Sequence, residues 1–380
     1  MSIENSERQL KTHIPQLISI FRGGASGSRL TSGEVARASQ ALLKLQRGLT
    51  GDRELAGSKY MLDSLSLGAY ILYYWPISYL QASIALSSAP GILDSFQTPR
   101  ILDLGAGPGA ASAAIADAIG QRKASFKLVD TSSKALKTAA AIIGSEADTI
   151  TADLQDYEPE GTYDCIVMSH LLNEMWVGLP DRISRRAAFV SRAASHLSEN
   201  GFIFMMEPAL LDTSRDLIQV RDAICSDGFT AIAPCRSKGR CPALQAGSSN
   251  TCHAEIIWEP IEPVSSLAKA AGLVRESLKM TYFIMKRTQI APPMRLQATV
   301  VSEEMLNKSG RVRYLLCDGT KRFPFSADRN DRHADKAGFN ALRRYDIIEI
   351  HNPEDRSTPS GISYGMGEKT RIRLVSRIDQ

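Results

Sequence analysis

Chemistry is most legible in the segment Asp103-Leu-Gly-Ala-Gly-Pro-Gly109. It follows the apolar run 100–104 and precedes an Ala-rich stretch, so its glycines fall in a strand-to-helix turn. Gly105 permits a tight turn, Gly107 lets the backbone approach a ligand, and Gly109 allows helix and strand to pack closely. Two ligand classes use such a loop. A dinucleotide sets its pyrophosphate on the helix N-terminus, and the carboxylate of Asp103, two residues before the first glycine, is awkward beside it. S-adenosylmethionine carries no phosphate, and its ammonium and ribose hydroxyls call for carboxylates. Asp130 ends the next strand, placed for the ribose hydroxyls. Asp153-Leu154 follows the third, where an adenine amino group would be bound. Three acids at the carboxyl ends of successive strands favour S-adenosylmethionine.

This series resembles the class I methyltransferases. In them the segment after the fourth strand faces the methyl group; here it is Ser169-His-Leu-Leu-Asn-Glu174, which makes His170, Asn173 and Glu174 the candidates for lining the reaction site. There is no Asn-Pro-Pro-Tyr-like motif for amino methylation. Cys165 lies within the fourth strand and reads as core, not as a nucleophile.

The second constellation is thiol-based. Of six cysteines, four (Cys225, Cys235, Cys241 and Cys252) share one 28-residue stretch. Cys235, Cys241 and Cys252 follow a C-x5-C-x10-C spacing in a segment too polar for core, which favours a metal. A fourth ligand is needed: Cys225 and His253 are local candidates, and Cys317 is remote. Zinc knuckles use tighter C-x2–4-C spacing, so the wider arcs favour an iron–sulfur cluster, with zinc as the alternative. Arg236, Lys238 and Arg240 are expected to lower the thiol pKa values.

These residues need a scaffold. The chain has 380 residues, 43% hydrophobic and 23% charged, which excludes disordered and collagen-like classes. Residues 1–96 read as a helical domain, with helices over 9–21, 31–47 and 59–88. Ser32 is the expected cap of the second. The uncharged stretch 65–86 reads as a buried helix pair punctuated by Pro76 and not as a membrane span. Its Tyr70, Tyr73, Tyr74, Trp75 and Tyr79 read as core rather than as an RNA-stacking face. Residues 97–290 alternate strands (100–104, 125–130, 149–152, 163–168, 201–207, 280–286) with helices, giving βαβ units on a parallel sheet. A cysteine-rich insertion occupies 225–258. Past an Ala291-Pro-Pro293 linker, residues 291–380 read as a basic β-module with strands at 295–302, 311–316, 322–325 and 346–351 and a hairpin at Asp318-Gly319. From residue 271 onward, 20 Lys/Arg face 13 Asp/Glu within a chain of net charge +4. That asymmetry points to a polyanionic partner, with Arg311, Arg313, Lys321, Arg322, Arg343 and Arg344 as candidate phosphate contacts. The start, with two acidic residues and no apolar core, predicts neither signal nor transit peptide, hence a cytoplasmic protein.

Taken together, the chain resembles the small-ribosomal-subunit methyltransferase-like family of mitochondria and bacteria, known as rRNA methyltransferases or assembly factors. The resemblance is carried by Gly68–Leu80, Asp103–Gly109, Ser169–Glu174, Glu207-Pro208, Ala233-Pro-Cys235, Cys241-Pro242, Cys252-His253 and Cys317. It departs where the family has Cys-Pro-His (here Cys235-Arg-Ser) and where Gly-Thr-Pro follows Glu-Pro (here Ala209-Leu-Leu). The resemblance implies a class I fold with an OB-like C-terminal barrel. It implies a [4Fe–4S] cluster on Cys235, Cys241, Cys252 and Cys317, with Cys225 left out. It further implies a monomer that binds small-subunit rRNA, not DNA or membrane. A non-catalytic assembly factor and a small-molecule methyltransferase are the alternatives.

Overall fold

The protein is described from a computed structural model, covering residues 3–51, 54, 60–235, 237, 239–288, 296–359 and 361–378. The expected Ala291–Pro293 linker lies outside the described residues.

Three helices come first: α1 (Ile3–Phe21), α2 (Ser32–Gln46) and α3 (Ser64–Ser87). Thr31, one residue before the expected Ser32, caps α2. Its hydroxyl accepts from Glu34 N, while Glu34 Oε2 accepts from Thr31 N at 2.8 Å, a reciprocal capping box. The expected helix pair is a single helix running through Pro76, with 18 of its 24 residues buried. A mid-helix proline costs about 3 kcal/mol. Full burial of an aromatic side chain such as Tyr73, Trp75 or Tyr79 returns roughly 1.5–3 kcal/mol each, so packing outweighs the local break.

The main sheet is built from β1 (Arg100–Leu104), β2 (Ser125–Asp130), β3 (Ala147–Thr151), β4 (Tyr163–Ser169), β5 (Leu197–Pro208), β6 (Thr230–Ala233), β7 (Ala254–Ile257) and β8 (Ser277–Lys286). Its order is β3-β2-β1-β4-β5-β8-β6, with β7 also on β8. The first five strands are parallel, but β8 runs antiparallel to β5, β6 and β7, so the sheet is mixed and not wholly parallel. This is a class I methyltransferase-like α/β fold. Helices α4 (Ala110–Ile119), α5 (Ser133–Ile143), α6 (Arg182–Ala194), α7 (Leu211–Ser226), α8 (Pro242–Gln245) and α9 (Val264–Ala270) follow in turn. Strand residues alternate between two apolar clusters as the two-residue side-chain period demands. Cys165 and Val167 face the cluster containing α3 and α4; Ile166 and Met168 face that of α6 and α7. Cys165 is core, as expected.

A second sheet follows: β9 (Leu296–Val300), β10 (Met305–Leu306), β11 (Arg311–Cys317), β12 (Arg322–Asp328), β13 (Ile347–His351), β14 (Glu354–Asp355), β15 (Tyr364–Gly365) and β16 (Arg371–Ser376). Its order is β14-β15-β12-β11-β9-β13-β16, with β10 on β11. Asp318 Oδ1 closes the β11–β12 hairpin by accepting from Thr320 N and Lys321 N. The sheet has its own core around Tyr314, Phe325 and Phe339. It is nevertheless tied to the first: Val301, Tyr345 and Ile378 belong to the same apolar cluster as α3 and β8.

Candidate functional site

A cavity of about 280 Å³ opens at the carboxyl ends of β1–β4. Asp103, Gly105, Gly107, Asp130, Asp153 and Leu154 all line it, so the sequence-predicted set converges apart from Gly109. Gly105 has φ +73°, and a Cβ there would stand 2.7 Å from Leu171 Cδ1. Gly109 has φ +80° and holds the loop indirectly. Its absent Cβ would lie 2.8 Å from Ala139 Cβ on α5, so the contact is helix to helix rather than the expected helix to strand.

The acids have different duties. Asp130 braces the loop: Oδ2 accepts from Gly107 N at 2.9 Å and Oδ1 from Ser132 N at 2.7 Å. Asp153 Oδ1 accepts from Gln155 N at 2.9 Å. Asp103 is buried. Its Oδ2 accepts from Ser112 Oγ at 2.6 Å, while Oδ1 has no hydrogen-bond partner. Burial pushes its pKa up to about 7, and neighbouring Asp130 adds to the rise. A buried carboxylate oxygen left unpaired beside a cavity fits a cationic donor. Tyr60 and Met61 also line the cavity, from a separate 3-10 turn (Tyr60–Leu62) before α3 rather than from the expected helix over 59–88, so sequence reading took them for helix and not for site.

His170 and Glu174 line this cavity and Asn173 lies beside it, with unequal roles. His170 sits at φ +56°, uncommon for a non-glycine residue. It lines the cavity, its Nε2 is shielded without a partner, and burial pushes its pKa down to about 4, so the ring is neutral at neutral pH. Asn173 is held by Glu207: its backbone N donates to Oε1 at 3.1 Å and its Nδ2 to Oε2 at 2.5 Å. Glu207 is buried and its pKa rises to about 8. Glu174 lines this cavity and a second one of about 290 Å³ beside it. His170, Tyr60 and Tyr70 are also shared by both.

The four thiols arrive from separate elements. Cys235 follows β6, Cys241 precedes α8, Cys252 precedes β7 and Cys317 ends β11. They are close enough to sense one another's charge. Burial first, then the neighbouring thiols, pushes Cys241 and Cys317 up to about 12. The expected lowering by Arg236, Lys238 and Arg240 is not what burial produces, and Arg236 and Lys238 lie outside the described residues. The cation that does oppose the rise is Arg221 of α7. It is buried, donates to Ser237 O and to Gly239 O (2.6 Å), and pairs with Asp222 at 2.5 Å. Asp222 Oδ2 in turn accepts from Cys241 N at 2.8 Å. Arg221 escaped sequence reading because it lies on a polar helix well before the thiols. Arg221→Met leaves Asp222 and two carbonyls without their donor. It is expected to cost about 3–5 kcal/mol of stability, read as a lower midpoint in urea unfolding; an unchanged midpoint would refute its role as the loop's anchor.

Cys252 Sγ stands 3.1 Å from Tyr345 Oη, across the seam between the two sheets. His253 instead faces Arg344 (3.5 Å) and Glu255 (3.9 Å). Cys225 lies on α7, electrostatically coupled to Arg221 and Cys235. Among the described residues, no group of three or more His, Cys, Asp or Glu is placed to hold a single metal ion.

The six basic candidates of the module divide. Arg313, Lys321 and Arg343 are exposed and Arg311 is half-buried. Arg322 donates to Thr251 O at 3.1 Å, and Arg344 faces Glu255 at 3.8 Å and Val301 O at 3.3 Å. These last two are ties between module and core. No helix among the described residues is long and apolar enough to cross a membrane.

No curated protein matches the chain. Among solved structures, it is similar to an S-adenosylmethionine-dependent methyltransferase of Leishmania major, at 15% identity and TM-score 0.34, covering 67% of this chain and 82% of that one. It is also similar to the plantazolicin methyltransferase BpumL in complex with S-adenosylhomocysteine, at 13% identity and TM-score 0.38, covering 67% and 96%. A third is the N-methyltransferase NodS of Bradyrhizobium japonicum WM9, at 13% identity and TM-score 0.36, covering 65% and 98%. A family model described as mitochondrial small ribosomal subunit Rsm22 matches residues 64–330, well over half the sequence, and the chain is therefore a member of the Rsm22 family.

Proposed function

We propose that this chain binds S-adenosylmethionine in the cavity at the ends of β1–β4 and acts on or with small-subunit rRNA. The observation that carries the reading is Asp103 Oδ1, an unpartnered carboxylate oxygen in a cavity walled by a glycine loop. Bound there, the cofactor supplies an electrophilic methyl group. The residues' own work is to hold it: Asp103 receives the ammonium, Asp130 and Asp153 flank the ribose and adenine, and the neutral ring of His170 faces the reacting end. The organisation we propose is a helical part (1–96), a cofactor core (97–290) and a basic OB-like module (291–380).

We further propose that Cys235, Cys241, Cys252 and Cys317 hold a [4Fe–4S] cluster, with zinc as the alternative. Support comes from four thiols brought from separate elements to within reach of one another's charge, with Arg221 beside Cys235 and Cys241. Such a group supplies a covalent cross-link between module and core.

A non-catalytic assembly role is the second reading. It is favoured by His170, whose pKa burial lowers to about 4, which leaves a weak base at the reacting end. Crosslinking and sequencing of bound RNA, paired with methylation mapping of small-subunit rRNA in a deletion strain, decides between them. A missing methyl mark supports transfer; bound rRNA with no mark lost supports assembly; no bound rRNA overturns both.

The electrostatic part has its own test. Arg313→Ala is expected to weaken RNA binding uniformly across sequences and reduce the log–log salt slope by about one. An unchanged slope for Arg313, Lys321 and Arg343 variants removes the module from the interface.

A further inference from the structure

The second cavity is left without an occupant by the cofactor reading. It adjoins the cofactor cavity through His170, Tyr70 and Glu174, so whatever enters it meets the donor's reacting end. At about 290 Å³ it lies at the lower limit of small-ligand pockets, about 300 Å³. That is room for one ring system and not for a peptide helix. One wall is a run of tyrosine rings: Tyr60 and Tyr70 have centroids 6.3 Å apart at 38°, and Tyr70 and Tyr74 are 5.4 Å apart at 34°. The opposite wall is the uncharged Pro208-Ala209-Leu210 turn after β5.

Two cations reach the cavity. Lys279 is committed to Glu255 at 2.7 Å. Arg275 is not so committed: it rests over the Tyr73 ring at 5.9 Å, and its buried Nε has no hydrogen-bond partner. Aromatic faces suit a planar π-system, which every nucleobase offers. An under-used guanidinium suits a phosphate. A base inside a duplex cannot reach such a pocket, so the nucleotide must be unpaired or turned out of its stack.

We propose that this cavity takes a single nucleobase of an RNA strand, stacked along Tyr70 and Tyr74 with its phosphate at Arg275. The inference rests on the cofactor reading above and names the acceptor for it. The test uses the full chain saturated with S-adenosylhomocysteine and titrates the four ribonucleoside 5′-monophosphates, their nucleosides and benzoate by calorimetry. At least one monophosphate is expected to bind, more tightly than its nucleoside and than benzoate. Tyr74→Ala is expected to weaken that binding about tenfold and Tyr74→Phe to restore it. Arg275→Gln should remove the advantage of monophosphate over nucleoside while leaving the S-adenosylhomocysteine affinity and the thermal midpoint in place. No monophosphate binding to cofactor-loaded protein, equal binding of benzoate, or indifference to both substitutions overturns the proposal. Monophosphate binding with no S-adenosylhomocysteine binding would instead sink the cofactor reading and leave the nucleotide cavity standing.

Discussion

Anaerobically purified Cys317→Ser protein is expected to be colourless where the parent chain is brown, and to be cut readily by protease between core and module. The expectation follows from where Cys317 sits. It closes β11, in the second sheet, whereas Cys235, Cys241 and Cys252 lie in the insertion of the first. The surrounding seam joins Val301, Tyr345 and Ile378 to the core's apolar cluster and adds a few polar ties. Ser237 Oγ donates to Gly319 O at 2.8 Å, and Arg322 donates to Thr251 O. Net gains from hydrogen bonds of this kind are about 0.5–1.5 kcal/mol each, far less than metal–thiolate bonding, whose apparent free energies reach about 10–16 kcal/mol for structural zinc. If the four thiols hold the proposed cluster, removing one of them changes the seam more than any single side-chain contact. The broad visible absorption of thiolate-bound iron and protease half-life are the two readouts. Colourless parent protein with one equivalent of zinc would overturn the cluster. Full colour in Cys317→Ser would move the fourth ligand to Cys225, because His253 is already engaged with Arg344 and Glu255.

The second large effect is on cofactor affinity. Asp103→Ala should reduce S-adenosylhomocysteine binding by about 100-fold, since the ammonium loses a buried charged partner worth about 2–5 kcal/mol. The parent protein should show a pH signature as well. Burial raises the Asp103 pKa to about 7, so below that pH the free protein carries a neutral acid that must lose its proton to receive a cation. Affinity should therefore fall about tenfold for each pH unit below 7 and level off above it. Asp103→Asn should be weak and flat across the same range. Calorimetry from pH 5.5 to 8.5 checks this, and a parent profile as flat as that of Asp103→Asn refutes the assigned role.

Legibility in the sequence tracked how local the determining physics was. The strand–glycine loop–helix unit at 100–119 is written in adjacent residues, and Asp103, Asp130 and Asp153 meet in one cavity. The capping box at Thr31–Glu34 was one residue off because Ser32 and Thr31 are chemically alike; the geometry of N3 decides between them. Pro76 misled because proline's cost is local while its compensation comes from α1, α2 and α4. Strands β10, β14 and β15 have two residues each, too few for any period to show. The edge strand β16 is largely exposed even though three of its six residues are Ile372, Leu374 and Val375, so burial does not follow its pattern. Arg221 and Tyr345, the groups nearest the thiols, are fixed by tertiary contact alone and left no sequence spacing to read.

The seat of α3 carries a consequence for how the chain is made. Its largely buried surface is sealed by α1 and α2, which are synthesised before it, but also by α4, β8 and Ile378. Ser87 Oγ even donates to Ile378 O, 291 residues further on. On the ribosome α3 meets α1 and α2 first and α4 soon after, while the part covered by β8 and Ile378 stays open until those late residues are made. A chain that stops before β8 is therefore expected to leave one face of α3 bare.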